Sequence, residues 1–107
     1  MAFKVLQKLW LIYARRMLKL NLSKRATKFL EKLPPKQFHQ IDVKISGLLN
    51  DPIPPDSSVL KGKASDYRRA DIGEYRIVYR VSGDILEILL IDKRNDDAVY
   101  KKLKRIL

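Results

Sequence analysis

The chain has 107 residues, of which 46% are hydrophobic, and its 23 lysines and arginines against 12 acidic residues give a formal net charge of +11. A chain of this length and composition builds one domain around a single core and is not globally disordered. The absence of cysteine excludes a disulfide framework and a thiolate metal site. The excess of positive charge indicates a polyanionic partner, either nucleic acid or an acidic protein.

Residues 1–16 are interpreted as an extension that precedes a domain spanning residues 17–107. The apolar stretch of this extension, VLQKLWLIY, is interrupted by Gln7 and Lys8 and is far shorter than the roughly 20 apolar residues of a membrane span. We therefore expect no membrane anchor. Two interpretations of the extension stay open: it forms an amphipathic helix, with Phe3, Leu6, Trp10 and Tyr13 on one face, or Met17 is the true translation start.

The first half of the domain has the pattern of a strand followed by two helices. MLKLNL alternates leucine with other residues, which predicts a strand buried on one face. Ser23 stands at the N-cap position of the first helix, and Pro34 ends that helix. The second helix is predicted over residues 35–49, with Pro35 in its first turn. Residues 50–58, NDPIPPDSS, are predicted to form a proline-rich loop.

The second half is predicted to contain three strands and a helix. The strands cover residues 68–72, 75–81 and 85–92, with tight turns at Gly73-Glu74 and at residues 82–84. The nearly continuous apolar run ILEILLI suits a central strand that is covered on both faces. Residues 97–107 have apolar residues at helical spacing, and Asp96 or Asp97 is the expected N-cap.

Alternation along the middle strand divides its side chains between two faces. Four residues are predicted to point into the core: Tyr75, Ile77, Tyr79 and Val81. The other face then carries Arg76, Val78 and Arg80, and is expected to be polar. The element order is β-α-α-β-β-β-α, which predicts an α+β domain with an N-terminal strand and an αα-hairpin packed on an antiparallel sheet, followed by a C-terminal helix.

Most catalytic signatures are missing from the sequence. There is no glycine-rich phosphate loop, no cysteine and a single histidine, His39, which we interpret as an ordinary surface residue. Asp96 and Asp97 are adjacent acids at a helix start and are interpreted as capping residues. We therefore expect no metal site and no cofactor.

The residues that could carry chemistry are basic and lie mainly in the β-rich half. They are Lys61, Lys63, Arg68, Arg69, Arg76, Arg80, Lys93 and Arg94, together with Tyr100. Attack of an RNA 2′-hydroxyl on the adjacent phosphate needs no metal, but it needs a phosphate held in line and stabilisation of the growing negative charge. Arginine suits that task. From charge alone, the favoured interpretation is a solvated basic face that binds polyanions without catalysis.

The sequence resembles the RelE/ParE superfamily of toxins from type II toxin–antitoxin systems, closest to the RelE branch. The resemblance rests on KRATKFLEKLP, on LKGKASDYRRADIGEYRIVYRV and on DKRNDDAVYKKLKR, which occur in that order over residues 17–107. It implies a RelE-like, microbial-RNase-like fold. It also implies a ribosome-dependent, metal-free mRNA endoribonuclease that inhibits translation.

Carried over by position, the resemblance implies catalytic roles for three residues. Arg76 and Arg94 would stabilise phosphate charge, and Tyr100 would position the substrate or assist proton transfer. Lys61, Lys63, Arg68, Arg80 and Lys93 would contact RNA or the ribosome. RelE-type nucleases carry two basic residues one apart on the strand before Gly73, whereas this chain has Arg69 and Asp71, or Arg68 and Ala70. The general base is therefore Asp71, or Arg69 with Lys61 or Lys63 compensates for the missing basic residue.

The resemblance also implies partners and a compartment. These are an acidic, RelB-like antitoxin, the ribosome with its mRNA, promoter DNA reached through the antitoxin complex, and a cytoplasmic location. Two alternatives are kept. One is a ParE-like inhibitor of DNA gyrase, and the other is a noncatalytic remnant that only binds RNA or an antitoxin, for which Asp71 is the main support.

Overall fold

The computed structural model describes residues 18–107, so both interpretations of residues 1–16 lie outside the described part of the chain. The strands are β1 (Lys19–Leu22), β2 (Ser57–Val59), β3 (Arg68–Ile72), β4 (Tyr75–Ser82) and β5 (Ile85–Lys93). The helices are α1 (Lys24–Glu31), α2 (Pro35–Asn50) and α3 (Asp96–Ile106), and a short 3-10 helix covers Gly62–Ala64. The predicted α+β class is confirmed, and the predicted order of elements is confirmed except for β2, which was not expected.

The five strands form one sheet in the order β1-β5-β4-β3-β2. The meander β3-β4-β5 is antiparallel as predicted, and β1 joins β5 in parallel, which makes the sheet mixed. β1 is held there at both ends, because the Lys19 N–H donates to the Asp84 carbonyl at 2.8 Å and the Ser23 N–H to the Ile88 carbonyl at 3.0 Å. The prediction of a loop over residues 50–58 is wrong for Asn50, which ends α2, and for its last two residues. Unlike the prolines before them, Ser57 and Ser58 carry main-chain N–H groups, and they pair with β3.

Each face of the sheet is covered by helices. On one face, Ile41, Ile45 and Leu48 of α2 pack against β4 and β5 in a cluster that includes Ile77 and Ile88. On the other face, Val99 and Leu103 of α3 pack against Val78, Leu90 and Tyr67. We call these the hairpin face and the α3 face. The prediction that β5 is covered on both sides is therefore confirmed.

The predicted division of β4 into a core face and a polar face is wrong in three places. Val78 and Arg76 were expected on a polar face, but α3 covers that face and both residues are buried. Val81 was expected in the core and is 43% exposed. The register of β4 against β5 is irregular at this point because β5 has one extra residue, Leu89, between the partners of Val78 and Tyr79. The alternation along β4 therefore continues, and Val81 is exposed near the end of the strand.

The helix caps follow the sequence signals with one correction. Ser23 caps α1 as predicted, because its side chain accepts a hydrogen bond from the Ala26 N–H at 3.0 Å. At α3 the cap is Asn95, whose side chain accepts from the Ala98 N–H at 3.1 Å, and not Asp96 or Asp97. The two aspartates fall inside the first turn, where negative charge complements the helix dipole. Among residues 18–107, no helix has the length and apolar character needed to cross a bilayer.

Candidate anion-binding site

Two arginines of the α3 face converge on one carboxylate. The Arg76 Nε donates to Asp71 Oδ1 at 2.8 Å, and the Arg76 Nη2 donates to Oδ2 at 3.2 Å. The Arg94 Nε lies 3.4 Å from the same Oδ2. A carboxylate that contacts two guanidinium groups occupies a position where an oxyanion is stabilised.

The strand register explains why Asp71 and Arg76 meet. Gly73 and Glu74 form a two-residue turn, so Ile72 lies opposite Tyr75, and Asp71 lies opposite Arg76. Residues directly opposite each other on antiparallel strands present their side chains to the same face. The position of the Gly73-Glu74 turn was therefore the sequence signal for this pair, because Asp71 and Arg76 are each the second residue away from the turn.

The turn also positions Arg94. The main-chain N–H of Arg94 donates to the Glu74 carbonyl at 2.8 Å, and its Nη1 donates to the Gly73 carbonyl at 3.4 Å. Gly73 has a φ of +56°, and a Cβ there would lie 2.7 Å from the Gln40 Nε2. The positive φ favours glycine here, whereas the close atom is the end of the flexible Gln40 side chain, which could move aside.

Burial distinguishes the three charged groups. The Arg76 side chain is 6% exposed, that of Asp71 is 29% exposed, and that of Arg94 is 53% exposed. Arg76 also lies opposite Asp92 of β5, whose carboxylate accepts hydrogen bonds from the Lys93 N–H and from Lys102 Nζ of α3. The site therefore has a fixed, buried arginine and an accessible one at its rim.

Tyr100 lies on α3, which covers the same face of the sheet. Its hydroxyl accepts a hydrogen bond from the Lys61 N–H at 3.3 Å. Tyr100, Lys61 and Lys63 border a cavity of about 430 Å³ with an apolar wall that includes Leu103 and Leu107. The structure thus places Tyr100 beside Lys61 and Lys63, two of the residues that were predicted to contact RNA.

The adjacent arginines of β3 are separated by the pleat of the strand. Arg69 lies on the α3 face with Asp71, and its Nε donates to Ser58 Oγ at 2.9 Å. Arg68 lies on the hairpin face, and its Nη2 donates to Ser57 Oγ at 3.0 Å. Lys93 is opposite Tyr75, which belongs to the apolar cluster of the hairpin face. Arg68 and Lys93 are therefore directed away from the arginine pair.

Arg80 is engaged in a contact of its own on the α3 face. Its Nε donates to Glu87 Oε2 at 2.7 Å, and its guanidinium lies 5.1 Å from the ring centroid of Tyr67. The hydrogen bond to Glu87 raises the pKa of Arg80 above its usual value. Glu87 and Tyr67 thus account for the position of this arginine.

A second basic surface was missed in the sequence. Lys24, Arg25 and Lys28 of α1 border a cavity of about 560 Å³ together with Leu89 and Ile106. Its signal was the segment KRATK, since three cations and no acid stand at a helix N-terminus, where the dipole disfavours positive charge. Within residues 18–107, no three potential metal-ligating side chains (His, Cys, Asp or Glu) come together.

These features define a class of protein: a small, strongly basic α+β domain with a pair of arginines on one face of a five-stranded sheet. The family model described as "ParE toxin of type II toxin-antitoxin system, parDE" matches residues 20–98. The chain belongs to this family, and it is a toxin of a type II toxin–antitoxin system in the RelE/ParE superfamily. The resemblance drawn from the sequence is confirmed. No curated protein matches the chain.

Solved structures agree with the family. The archaeal RelE-RelB complex from Pyrococcus horikoshii contains a chain that is 26% identical, with a TM-score of 0.64 over 74% of this chain and 97% of that one. The toxin-antitoxin complex RelBE2 from Mycobacterium tuberculosis contains one that is 25% identical, with a TM-score of 0.62 over 72% and 98%. The isolated RelE toxin of E. coli shares the fold, at 24% identity and a TM-score of 0.62 over 84% and 99%. The predicted RelE-like fold is confirmed.

Proposed function

We propose that this toxin is a metal-independent endoribonuclease that cleaves mRNA on the ribosome and so inhibits translation. The observation that carries the proposal is the convergence of Arg76 and Arg94 on the Asp71 carboxylate. A carboxylate and a phosphodiester both offer anionic oxygens that accept paired guanidinium hydrogen bonds. The same arginines can therefore stabilise the charge that develops on a phosphate under attack.

The reaction follows from the chemistry of RNA. The 2′-oxygen forms a bond to phosphorus as the bond from phosphorus to the 5′-oxygen breaks, which leaves a 2′,3′-cyclic phosphate and a 5′-hydroxyl. A proton leaves the 2′-hydroxyl and another reaches the 5′-oxygen. We assign the second transfer to the Tyr100 phenol. Asp71 is a poor candidate for the base, since both of its oxygens already face arginines. Arg69 stays protonated at neutral pH, so we assign it to stabilising the charge that develops on the 2′-oxygen, while water takes the proton.

The partners follow from the same proposal. The net charge of +11 favours binding to the ribosome and mRNA, with Lys61 and Lys63 next to Tyr100 as RNA contacts. The similar chains from Pyrococcus and Mycobacterium come from complexes with antitoxins, which supports an acidic, RelB-like antitoxin here. Action on the ribosome implies a cytoplasmic location. Contact with promoter DNA would occur through the antitoxin complex.

The test is primer extension on mRNA from cells that express the full chain. Wild type is expected to produce cuts within translated regions. Arg94→Ala is expected to remove them, because it removes a guanidinium that stabilises the phosphate. Arg94 is exposed, so its loss spares the core. Arg25→Ala is the matched control, since it removes one exposed arginine from α1. Intact mRNA in the wild-type cells would refute the nuclease.

Inhibition of DNA gyrase is the second candidate. It is favoured by the description of the matching family and by the Asp71 carboxylate, which offsets part of the charge on the arginine pair. Growth arrest with intact mRNA and induced DNA damage would support it. Growth arrest that Arg94→Ala abolishes together with the mRNA cuts would exclude it.

A further inference from the structure

We propose that Asp71 is a positioning residue that competes with the RNA phosphate for Arg94, so that Arg94 transfers to the substrate while Arg76 stays paired with Asp71. The inference deepens the proposed function and rests on it. It also gives a role to the residue at which this chain departs from the family pattern. The two arginines, which the resemblance treats alike, then have different tasks.

The Asp71–Arg76 pair is built to stay closed. Both oxygens of the carboxylate accept hydrogen bonds from the Arg76 guanidinium, at 2.8 and 3.2 Å. The two residues are opposite each other in the β3-β4 register, and the arginine is buried. Opening this pair would leave a buried guanidinium with one partner fewer, which is costly.

The Asp71–Arg94 contact is built to open. It consists of one approach of 3.4 Å, and the Arg94 side chain is 53% exposed. Exposed ion pairs of this kind contribute little stability. The Arg94 main chain is separately fixed by its bond to the Glu74 carbonyl. The side chain has one further contact, an exposed hydrogen bond of 3.4 Å to the Gly73 carbonyl, so it can turn toward a ligand while its main chain stays in place.

The exchange also explains why an acid is tolerated in a site for an anion. A phosphate oxygen that takes over Arg94 replaces one anionic partner with another, so the guanidinium keeps a charge-assisted hydrogen bond throughout. The cost is repulsion between Asp71 and the phosphate, which weakens RNA binding. Removing the Asp71 charge should therefore strengthen binding, which is the opposite of what loss of a purely structural residue does.

The experiment measures binding of a fluorescein-labelled 2′-O-methyl RNA oligonucleotide, which cannot be cleaved, by anisotropy with the full chain. Asp71→Asn keeps an oxygen acceptor for the Arg76 Nε and removes the charge. We expect it to bind roughly two- to fivefold tighter than wild type, the range that exposed ion pairs reach. Asp71→Glu, which keeps the carboxylate, is expected to bind like wild type.

Two further variants make the test specific. Asp56→Asn changes the net charge equally but lies on the loop beside α2, where Asp56 pairs with Lys44. Its affinity should stay within experimental error of wild type. In an Arg94→Ala background, Asp71→Asn should give no gain in affinity, because the Arg94 side chain for which Asp71 and the phosphate compete is absent. An equal gain in that background, or no gain from Asp71→Asn in a protein with native circular dichroism, would overturn the proposal.

A measurement on the wild type covers the case in which Asp71→Asn does not fold. Titration with the oligonucleotide should shift the NMR signal of the Arg94 Nε–H and leave that of the Arg76 Nε–H in place. Equal shifts of both would overturn the proposal. The results separate this proposal from the proposed nuclease activity. Tighter binding by Asp71→Asn without mRNA cuts in wild-type cells would support the exchange of Arg94 and refute the nuclease. Cuts in wild-type cells without tighter binding by Asp71→Asn would support the nuclease and refute the exchange.

Discussion

The hydroxyl of Ser23 joins α1 to Leu89 in β5. Its Oγ accepts from the Ala26 N–H at 3.0 Å and donates to the Leu89 carbonyl at 2.7 Å, so one side chain both caps the helix and satisfies a strand carbonyl. The two residues are 66 positions apart in the chain. α1 is thereby attached to the centre of the sheet.

Replacing Ser23 with alanine should lower the free energy of unfolding by about 1–2 kcal/mol, since a lost cap costs about 1 kcal/mol and an unpaired, partly buried carbonyl up to a similar amount. Urea denaturation measures the change. Asn95→Ala is the control, because it removes only a cap, from α3. An equal loss in both variants would show that the bond to Leu89 contributes nothing.

Arg76→Ala should destabilise the protein far more than Arg94→Ala. Removing a buried partner leaves Asp71 with fewer contacts, and we expect a loss of about 2–4 kcal/mol, below the upper end for buried pairs because the carboxylate is partly exposed. The half-exposed Arg94 should cost about 0.5 kcal/mol or less. Thermal and urea unfolding compare the two variants. A similar loss from both would contradict the assignment of Arg76 as the fixed arginine.

Tyr100→Phe should reduce mRNA cleavage by about a hundredfold, the range of a lost general acid. Binding of the 2′-O-methyl oligonucleotide should not change, since the ring stays in place and only the acceptor for the Lys61 N–H is lost. Primer extension and anisotropy give the two readings. Cleavage by Tyr100→Phe at the wild-type rate would show that the Tyr100 hydroxyl takes no part in the reaction.

The Asp56–Lys44 pair should make stability depend on pH. The hydrogen bond from Lys44 holds the pKa of Asp56 below its usual value of 3.8. A lowered pKa stabilises the folded state above the unfolded value, and this contribution is lost as the pH falls through the folded value. Wild type should therefore be more stable than Asp56→Asn at pH 7. The difference should begin to shrink as the pH falls below 3.8 and should disappear once the pH is below the lowered pKa of Asp56 in the folded state; a difference that persists there would have another cause.

Leu103→Ala should open a cavity beneath α3. Leu103 is 2% exposed and packs with Val78 and Leu90, so we expect a loss of about 3 kcal/mol. The variant should also lose cleavage when α3, which carries Tyr100, detaches. Leu107→Ala is the matched control, because Leu107 is 50% exposed and should change stability by less than about 0.5 kcal/mol.

The elements that could be predicted are those defined by local signals. Ser23, Pro34 and Pro35 bracket the two helices of the hairpin in the sequence as they do in the structure. The turns at Gly73 and Gly83, both with positive φ, separate the predicted strands. Caps and turns act over a few residues, so sequence patterns contain them.

The parts that could not be predicted depend on distant packing. Val78 sits on a face that looks polar in the sequence because Arg76 and Arg80 flank it, and only the docking of α3 shows that this face is buried. The parallel pairing of β1 with β5 joins segments far apart in the chain. The catalytic roles of Arg76, Arg94, Tyr100 and Arg69 stay predictions, although the structure supplies the shared carboxylate of Asp71.

The parallel pairing of β1 with β5 bears on the order in which the chain folds. Lys19 pairs with Ile85, so the first strand can find its place only after almost the whole chain has left the ribosome. The Asp71–Arg76 pair needs only the local β3-β4 turn and can form early. The arginine that anchors the site therefore has its acid within a short hairpin, and the formation of this pair does not depend on closing the long loop between β1 and β5.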